Sequence, residues 1–327
     1  MRKARWLTNW QNSSSKPVIY HCISRVVDRR FVFGERECEA FRMYMRMYEN
    51  FSGCRVLSYC LMSNHFHLLV RIPAPSHIPD AVLLQRAEAF YGKQGLLPSL
   101  ARTDLQRSGS ISPHIRQTLA SRMGDVSAFM KEFKQRFSRW FNRHSDRFGT
   151  VWAERFSSTL IEESAAALQT VASYIDLNPV RAGLVSDPKD YRFCGYSAAL
   201  AGNPLVRHGL MSFLSGRSWN SAAAEYRLNL FTTAGVAGHS EKKTIDRDAI
   251  RAELARGGRL SLPEILRLRV RHLTAGVAIG SKDFVNQIFQ HHRSHFGPKR
   301  LDGARPIRGV PLPHLKTLRD LRVNAIG

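Results

Sequence analysis

Two histidines separated by one apolar residue are the side chains in this sequence best suited to chemistry. His65 and His67 follow a short turn, Met62-Ser63-Asn64, and begin an apolar run that ends at Ile72. Strand side chains alternate between faces, so the two imidazoles share one face and Phe66 points to the other. A metal ion could bridge such a pair. The spacing alone also fits a solvated face or a hydrogen-bonded polar network.

The elements around this pair predict a small sheet. The histidines belong to the second of two apolar runs, which together predict a β-hairpin over residues 55–72. Residues 17–27 predict an earlier strand that contains His21, which we interpret as a structural histidine. Helical spacing over residues 35–51 ends at Gly53. The order is therefore strand, helix, strand, strand.

Residues 73–125 are interrupted repeatedly by proline, and their apolar patches are short. Helices are predicted over 83–91 and 114–123. We interpret the segment as an insertion on the surface, either a lid or a loop that contacts DNA.

The strongest helical pattern covers residues 126–144. Its aromatic residues fall on one face, which is typical of a helix that packs on a core. The other face is almost entirely basic and consists of Lys131, Lys134, Arg136, Arg139 and Arg143. Contact with phosphates and a plain solvated face both fit this arrangement.

A tyrosine near the end of a second helix is the other candidate for chemistry. A strand is predicted over 149–161, and Ser164 can cap a helix that continues to residue 177. Tyr174 lies in its last turns, and Asn178 shares its face if the helix continues. Pro179 argues against continuation, because a residue before proline avoids helical geometry.

The C-terminal part shows a looser pattern of short helical runs. Three short helices are predicted over 245–256, 262–273 and 281–291, followed by a basic tail. A helix-turn-helix-like DNA reader and a helical appendage packed on the main domain both fit.

Composition points to a polyanionic partner. The chain has 49 Lys and Arg against 26 Asp and Glu, a formal charge of +23 and a pI near 10.6. This balance favours nucleic acid over a membrane, since no basic amphipathic anchor, transmembrane run or signal peptide is visible. The cysteines form no CxxC pair, so we expect buried thiols in a reducing cytoplasm.

Three blocks of the sequence resemble one family. They are Tyr20-His21 at the start of a strand, MSNHFHLLV over residues 62–70, and YIDLNPVRAGL over residues 174–184. In this order they resemble the IS200-type single-tyrosine (HUH, Y1) transposases. The long chain and the Asn-Pro-Val-Arg-Ala-Gly run are most similar to the branch called REP-associated tyrosine transposases. The resemblance covers roughly residues 15–200.

The resemblance implies an α+β fold: a ferredoxin-like antiparallel sheet with helices on one face. Together with the patterns above, it predicts a basic flexible arm over 1–16 and a catalytic domain over 17–200 with an insertion at about 73–125. A basic, mostly helical C-terminal extension over 201–327 completes the predicted organisation.

The resemblance also implies a reaction. His65 and His67 would bind Mg²⁺ or Mn²⁺, with Asn178 as a third ligand or polar orienter. Tyr174 would attack a scissile phosphate in single-stranded or hairpin DNA, leaving a 5′-phosphotyrosine and a free 3′-OH. The metal stays open, because imidazole pairs by themselves favour zinc, copper or nickel. A monomer and a homodimer both fit the family.

Two other functions stay open at this point. The chain could be a domesticated transposase that binds structured DNA or RNA and regulates without cutting. It could also be a metal-dependent nuclease that uses water and forms no covalent adduct.

Overall fold

Four antiparallel strands form the centre of the protein. The computed structural model describes residues 16–235, 276–307 and 314–319. The strands are β1 (Val18–Arg25), β2 (Arg55–Met62), β3 (His65–Ile72) and β4 (Ser157–Ile161). They lie in the order β2-β3-β1-β4, and every neighbouring pair is antiparallel. The predicted ferredoxin-like α+β arrangement is confirmed.

Helices pack on both faces of this sheet. In chain order they are α1 (Glu35–Ser52), α2 (Asp80–Tyr91), α3 (Leu96–Ser108), α4 (Pro113–Ala120), α5 (Val126–His144), α6 (Ala165–Asp176), α7 (Asn178–Arg181), α8 (Gly195–Leu200), α9 (Pro204–Met211), α10 (Trp219–Gly235) and α11 (Lys282–His291). The prediction of helices on one face holds for α1 and α5. It is corrected for α6, whose Tyr174 contacts His67 on the other face.

An aromatic cluster fills the space between the sheet and the helices α1 and α5. The Phe66 ring of β3 lies 4.7 Å from that of Phe41 in α1 and 5.9 Å from that of Phe133 in α5. All three side chains are fully buried. Burial of such large apolar surfaces is the main driving force that holds these elements together.

The predicted insertion consists of three helices rather than two. Helices α2 and α4 confirm the two predicted ones, and α3 between them was not predicted. The ring of Phe90 in α2 stacks on Phe51 of α1, with centroids 4.4 Å apart. The insertion is therefore packed against α1.

The strand predicted over 149–161 is shorter than expected. Only residues Ser157–Ile161 form β4. Residues 149–156 form a loop in which Trp152 makes an isolated bridge to Val26, the residue that follows β1. Gly149 has a φ of 90°, a backbone conformation that ends regular strand geometry.

The described C-terminal part contributes three short strands in addition to the predicted helices. Strand β5 (Ala278–Gly280) pairs parallel to β4, and β7 (Lys316–Leu318) and β6 (Arg305–Pro306) continue the sheet. Helix α11 confirms the helix predicted over 281–291. The helices predicted over 245–256 and 262–273, and residues 1–15 of the predicted arm, lie outside the described residues.

Helix α9 lies unusually close to the sheet. A Cβ on Gly209 would sit 2.8 Å from the carbonyl oxygen of Leu57 in β2, so the approach requires a glycine. This contact and the β4–β5 pairing both join residues beyond 200 to the sheet.

Candidate active site

Strand register brings three histidines to one face of the sheet. His67 lies opposite Cys60 on one side and Ile23 on the other, and His21 lies opposite Leu69. His21 is therefore the diagonal neighbour of His67 on the same face. The ring centroids of His21 and His67 are 5.2 Å apart, and those of His65 and His67 are 5.1 Å apart.

Hydrogen bonds fix the orientation of the paired histidines. Nδ1 of His65 lies 2.7 Å from Oδ1 of Asn64, so this nitrogen carries the proton and Nε2 is left with its lone pair. Nδ1 of His67 lies 3.0 Å from Nε2 of His21, which makes His21 the partner that orients His67. The interpretation of His21 as a purely structural residue is corrected, because it belongs to the site.

Burial keeps the paired histidines neutral. It lowers the pKa of His65 to about 4, with a further contribution from Arg25. Burial and the neighbouring histidines 21 and 65 lower the pKa of His67 well below its ordinary value. The neutral imidazole is the form that binds a metal.

Tyr174 reaches the site from helix α6. Its ring lies edge-on to both His67 and His21, with centroid distances of 5.7 Å and 5.8 Å. The side chain is 8% exposed. The structure therefore brings the predicted nucleophile next to one of the predicted metal ligands and to His21.

Asp176 anchors the end of helix α6 to its surroundings. Its buried carboxylate accepts hydrogen bonds from Ser58 Oγ of β2 (3.2 Å), Tyr196 N of α8 (3.0 Å) and Tyr226 Oη of α10 (2.6 Å). Burial raises its pKa from 3.8 to about 6. Sequence reasoning passed over this residue, although a lone carboxylate in the apolar run Tyr-Ile-Asp-Leu was a signal.

Asn178 has a capping role in the structure. Its Nδ2 donates to the carbonyl oxygens of Tyr174 (3.0 Å) and Ile175 (3.1 Å), which satisfies the end of α6. Pro179 lies in the first turn of α7, where a missing N–H is tolerated, and the helical path continues as Asn178–Arg181.

Arg181 lies beneath the candidate nucleophile. Its Cζ is 4.4 Å from the centre of the Tyr174 ring, and its Nη1 donates to the Tyr174 carbonyl at 3.1 Å. Arg181 belongs to the block over residues 174–184, but the sequence alone predicted no role for it. Its separation of seven residues, two helical turns from Tyr174, was the available signal.

Comparisons with known proteins add to this geometry. Residues 14–87 match the family model described as "Transposase IS200 like". The resemblance to IS200-like transposases is confirmed over these residues. The match includes His21, His65 and His67, and it ends before Tyr174 and Arg181. Among solved structures, a REP-associated tyrosine transposase bound to a REP hairpin shares 14% identity at a TM-score of 0.39, covering 63% of this chain and 90% of that chain. Curated proteins give no significant match.

The donor set fits a metal ion only in part. Nε2 of His65 and of His67 can serve as ligands, and each ring is oriented through Nδ1, as is usual for metal-binding histidines. Within the described residues, no group of three His, Cys, Asp or Glu side chains could hold a metal. A metal held by these two histidines would have to take its further ligands from outside this set of side chains, such as water or a substrate.

The predicted basic face of α5 lies behind the sheet, away from the histidines. Lys131, Arg139 and Arg143 are exposed as predicted. Arg136 is half-buried over the Phe90 ring. Lys134 corrects the prediction: it is buried and donates to Ser24 Oγ at 2.6 Å, because one position of the basic stripe turns toward the core.

Two other expectations concern the chain as a whole. All five cysteines are free and buried, as expected. Among the described helices, none combines the length and apolarity needed to span a bilayer.

Proposed function

We propose that this protein is a metal-dependent DNA transposase that cleaves and rejoins single-stranded DNA at hairpin repeats through a covalent bond to Tyr174. The match of residues 14–87 to IS200-like transposases supports the class of protein. The contact of the Tyr174 ring with His21 and His67 is the observation that carries the proposal. The charge of +23 favours a nucleic-acid partner.

Cleavage would be a transesterification. The Tyr174 oxygen forms a bond to phosphorus while the bond from phosphorus to the 3′ oxygen breaks. The phenol loses one proton and the departing 3′ oxygen gains one, so the reaction consumes no net proton. The product is a 5′-phosphotyrosine diester that keeps its single negative charge, and the reverse reaction rejoins the strand.

The side chains around Tyr174 have distinct roles in this proposal. His65 and His67 would hold Mg²⁺ or Mn²⁺, which supplies positive charge at the scissile phosphate. His21 holds the ring of His67 in position, and Asp176 holds the end of α6. A tyrosine hydroxyl has an ordinary pKa of about 10, so it is a weak nucleophile at neutral pH, and a metal or a base would have to activate it.

The test uses labelled single-stranded oligonucleotides that carry hairpin repeats from the neighbourhood of the gene. The protein is incubated with them and with Mg²⁺, Mn²⁺ or another divalent metal, and the products are separated on a denaturing protein gel. We expect a labelled band of protein plus DNA with the wild type. Tyr174→Phe should form no such band, because it lacks the attacking oxygen.

Matched variants separate chemistry from folding. Tyr44→Phe removes the hydroxyl of a tyrosine in α1, and His114→Ala removes an exposed imidazole in α4; both should form the adduct normally. His65→Ala should lose metal-dependent cleavage and keep most of its DNA binding. An adduct of normal yield in Tyr174→Phe would show that another residue is the nucleophile, and free cleaved product without any adduct would indicate a hydrolytic nuclease.

One observation favours a second candidate function. Tyr174 is only 8% exposed, and a DNA strand must reach its hydroxyl for cleavage to occur. A domesticated regulator that binds structured DNA or RNA without cutting would need no such access. Binding in a gel shift without cleavage in any metal would favour this alternative.

A further inference from the structure

Arg181 places a largely buried guanidinium next to Tyr174 without a counter-ion, and two of its buried nitrogens have no hydrogen-bond partner among the described residues. Four arginines with restricted exposure each have a carboxylate partner: Arg46 with Glu49, Arg116 with Asp80, Arg122 with Glu132, and Arg227 with Asp187. Within the described residues, no carboxylate forms an ion pair with Arg181. A buried cation without an anion is costly, so its presence calls for an explanation.

The guanidinium of Arg181 is also incompletely hydrogen-bonded. Nη1 donates to the Tyr174 carbonyl, whereas Nε and Nη2 are buried and have no partner among the described residues. Burial lowers the pKa of Arg181 to about 10, so the group still carries its charge at neutral pH. Unsatisfied buried donors are rare in native proteins, and each one calls for an explanation such as a catalytic role or a bound ion or water.

The position of these donors identifies the chemistry of the ligand. The planar guanidinium stacks on the Tyr174 ring at 4.4 Å and is held by the backbone of the same residue. An anion that approaches the Tyr174 hydroxyl therefore also approaches the guanidinium of Arg181, whose position is fixed and whose Nε and Nη2 have no hydrogen-bond partner among the described residues. Guanidinium groups bind phosphate oxygens through paired N–H donors, and such charge-assisted bonds are the strong ones.

We propose that Arg181 binds a non-bridging oxygen of the phosphate that Tyr174 attacks, an assignment that rests on the function proposed above. The phosphate carries one negative charge before and after transfer to Tyr174, and it carries more in between. Arg181 would therefore contact this phosphate in the substrate, in the transition state and in the phosphotyrosine. It would bind the transition state most strongly, because the phosphate then carries the most negative charge. The phosphate would supply the counter-ion that the free protein lacks.

The test is a double-mutant cycle between the arginine and the phosphate charge. The scissile position is first mapped from the wild-type adduct. In the Tyr174→Phe background, which binds but cannot attack, the Kd is measured for the normal oligonucleotide and for one with a neutral methylphosphonate at that position. Each measurement is repeated with Arg181→Met, which keeps the length of the side chain but removes its charge, and with Arg181→Lys.

We expect Arg181→Met to weaken binding of the normal oligonucleotide about 10- to 100-fold and to change binding of the methylphosphonate less than about threefold. Arg181→Lys should lie between, because it keeps the charge and loses the paired donors. Equal weakening of both oligonucleotides would show that Arg181 only supports the fold, and unchanged binding of both would also overturn the proposal.

A second arginine provides the control. Arg207 likewise lies over an aromatic ring, that of Trp219 at 5.0 Å, and donates to a backbone carbonyl, that of Ala199 at 2.8 Å. Arg207→Met should leave both Kd values unchanged. If the wild type forms no adduct at all, the proposed function is wrong, and there is then no scissile phosphate for Arg181 to bind. An adduct together with no coupling in the cycle overturns the role of Arg181 alone.

Discussion

The two faces of strand β3 are built from different kinds of side chain. On one face, Phe66 packs among aromatic rings of α1 and α5. On the other face, His67 contacts His21 and Tyr174. Both faces are buried, yet only the first gains the full benefit of apolar burial. The second must satisfy each polar atom with a specific partner.

This difference separates stability from chemistry within one strand. Alternation of side chains lets a single run, HFHLLV, send Phe66 into the core and two histidines into the site. A change on the aromatic face should therefore act on folding, and a change on the histidine face should act on protonation, binding or cleavage.

The largest effect on stability is expected on the aromatic face. Phe133→Ala removes a fully buried ring and leaves a cavity between α1, α5 and the sheet. We expect a loss of about 3–5 kcal/mol in the free energy of unfolding, measured by urea denaturation. Phe148→Ala is the control: its side chain is 92% exposed, and the change should stay within about 0.5 kcal/mol. A small effect at Phe133 would mean that this face does not hold the fold.

The histidine face should instead respond to pH through Asp176. Its carboxyl pKa is raised by burial from 3.8 to about 6, so between these values the folded protein binds a proton that the unfolded chain releases. Stability from this group is therefore full below about pH 4 and is lost as the pH rises through about 6. The difference between these two pKa values corresponds to about 3 kcal/mol in the free energy of unfolding.

The measurement compares the unfolding of the wild type and Asp176→Asn between pH 4 and 7. The stability of the wild type should fall relative to that of the variant as the pH rises. Asp187 gives the opposite control: burial raises its pKa, but hydrogen bonds from Arg227 outweigh this and the pKa is lowered. The stability difference between the wild type and Asp187→Asn should stay constant over pH 5–7, and it should decrease once the pH drops below about 4. A flat difference for Asp176 would rule out its burial in the uncharged state.

Residues close together in sequence were the predictable part of the site. The hairpin over 55–72 and the period of two placed His65 and His67 on one face, and helical spacing over 126–144 matched α5 from end to end. These signals are local, and they depend only on backbone periodicity. The resemblance, rather than the periodicity, supplied the role of Tyr174.

Contacts between distant segments were the part that sequence reasoning could not supply. The role of His21 depends on the register between β1 and β3, and the position of Arg181 depends on whether the helix continues past Pro179. The strands β5 to β7 are too short to give a periodic pattern. Lys134 was wrongly predicted to be exposed because the basic residues of this helix cover a wider arc than the part of the helix that faces solvent.

The smallest expected effect is on the salt dependence of DNA binding, and it distinguishes the two lysines of α5, Lys131 and Lys134. Lys131 is exposed, so Lys131→Ala should leave stability within about 0.5 kcal/mol. If it contacts a phosphate, the slope of log K against log salt should become shallower by about 0.7 for single-stranded DNA. Lys134 is buried, donates to Ser24 and lies 4.9 Å from the centre of the Trp152 ring. Lys134→Ala should therefore leave the slope unchanged and cost about 1–3 kcal/mol of stability. The reverse result, a slope that depends on Lys134 alone, would require DNA to reach the aromatic face of the sheet, which would then share the binding role assigned to the histidine face.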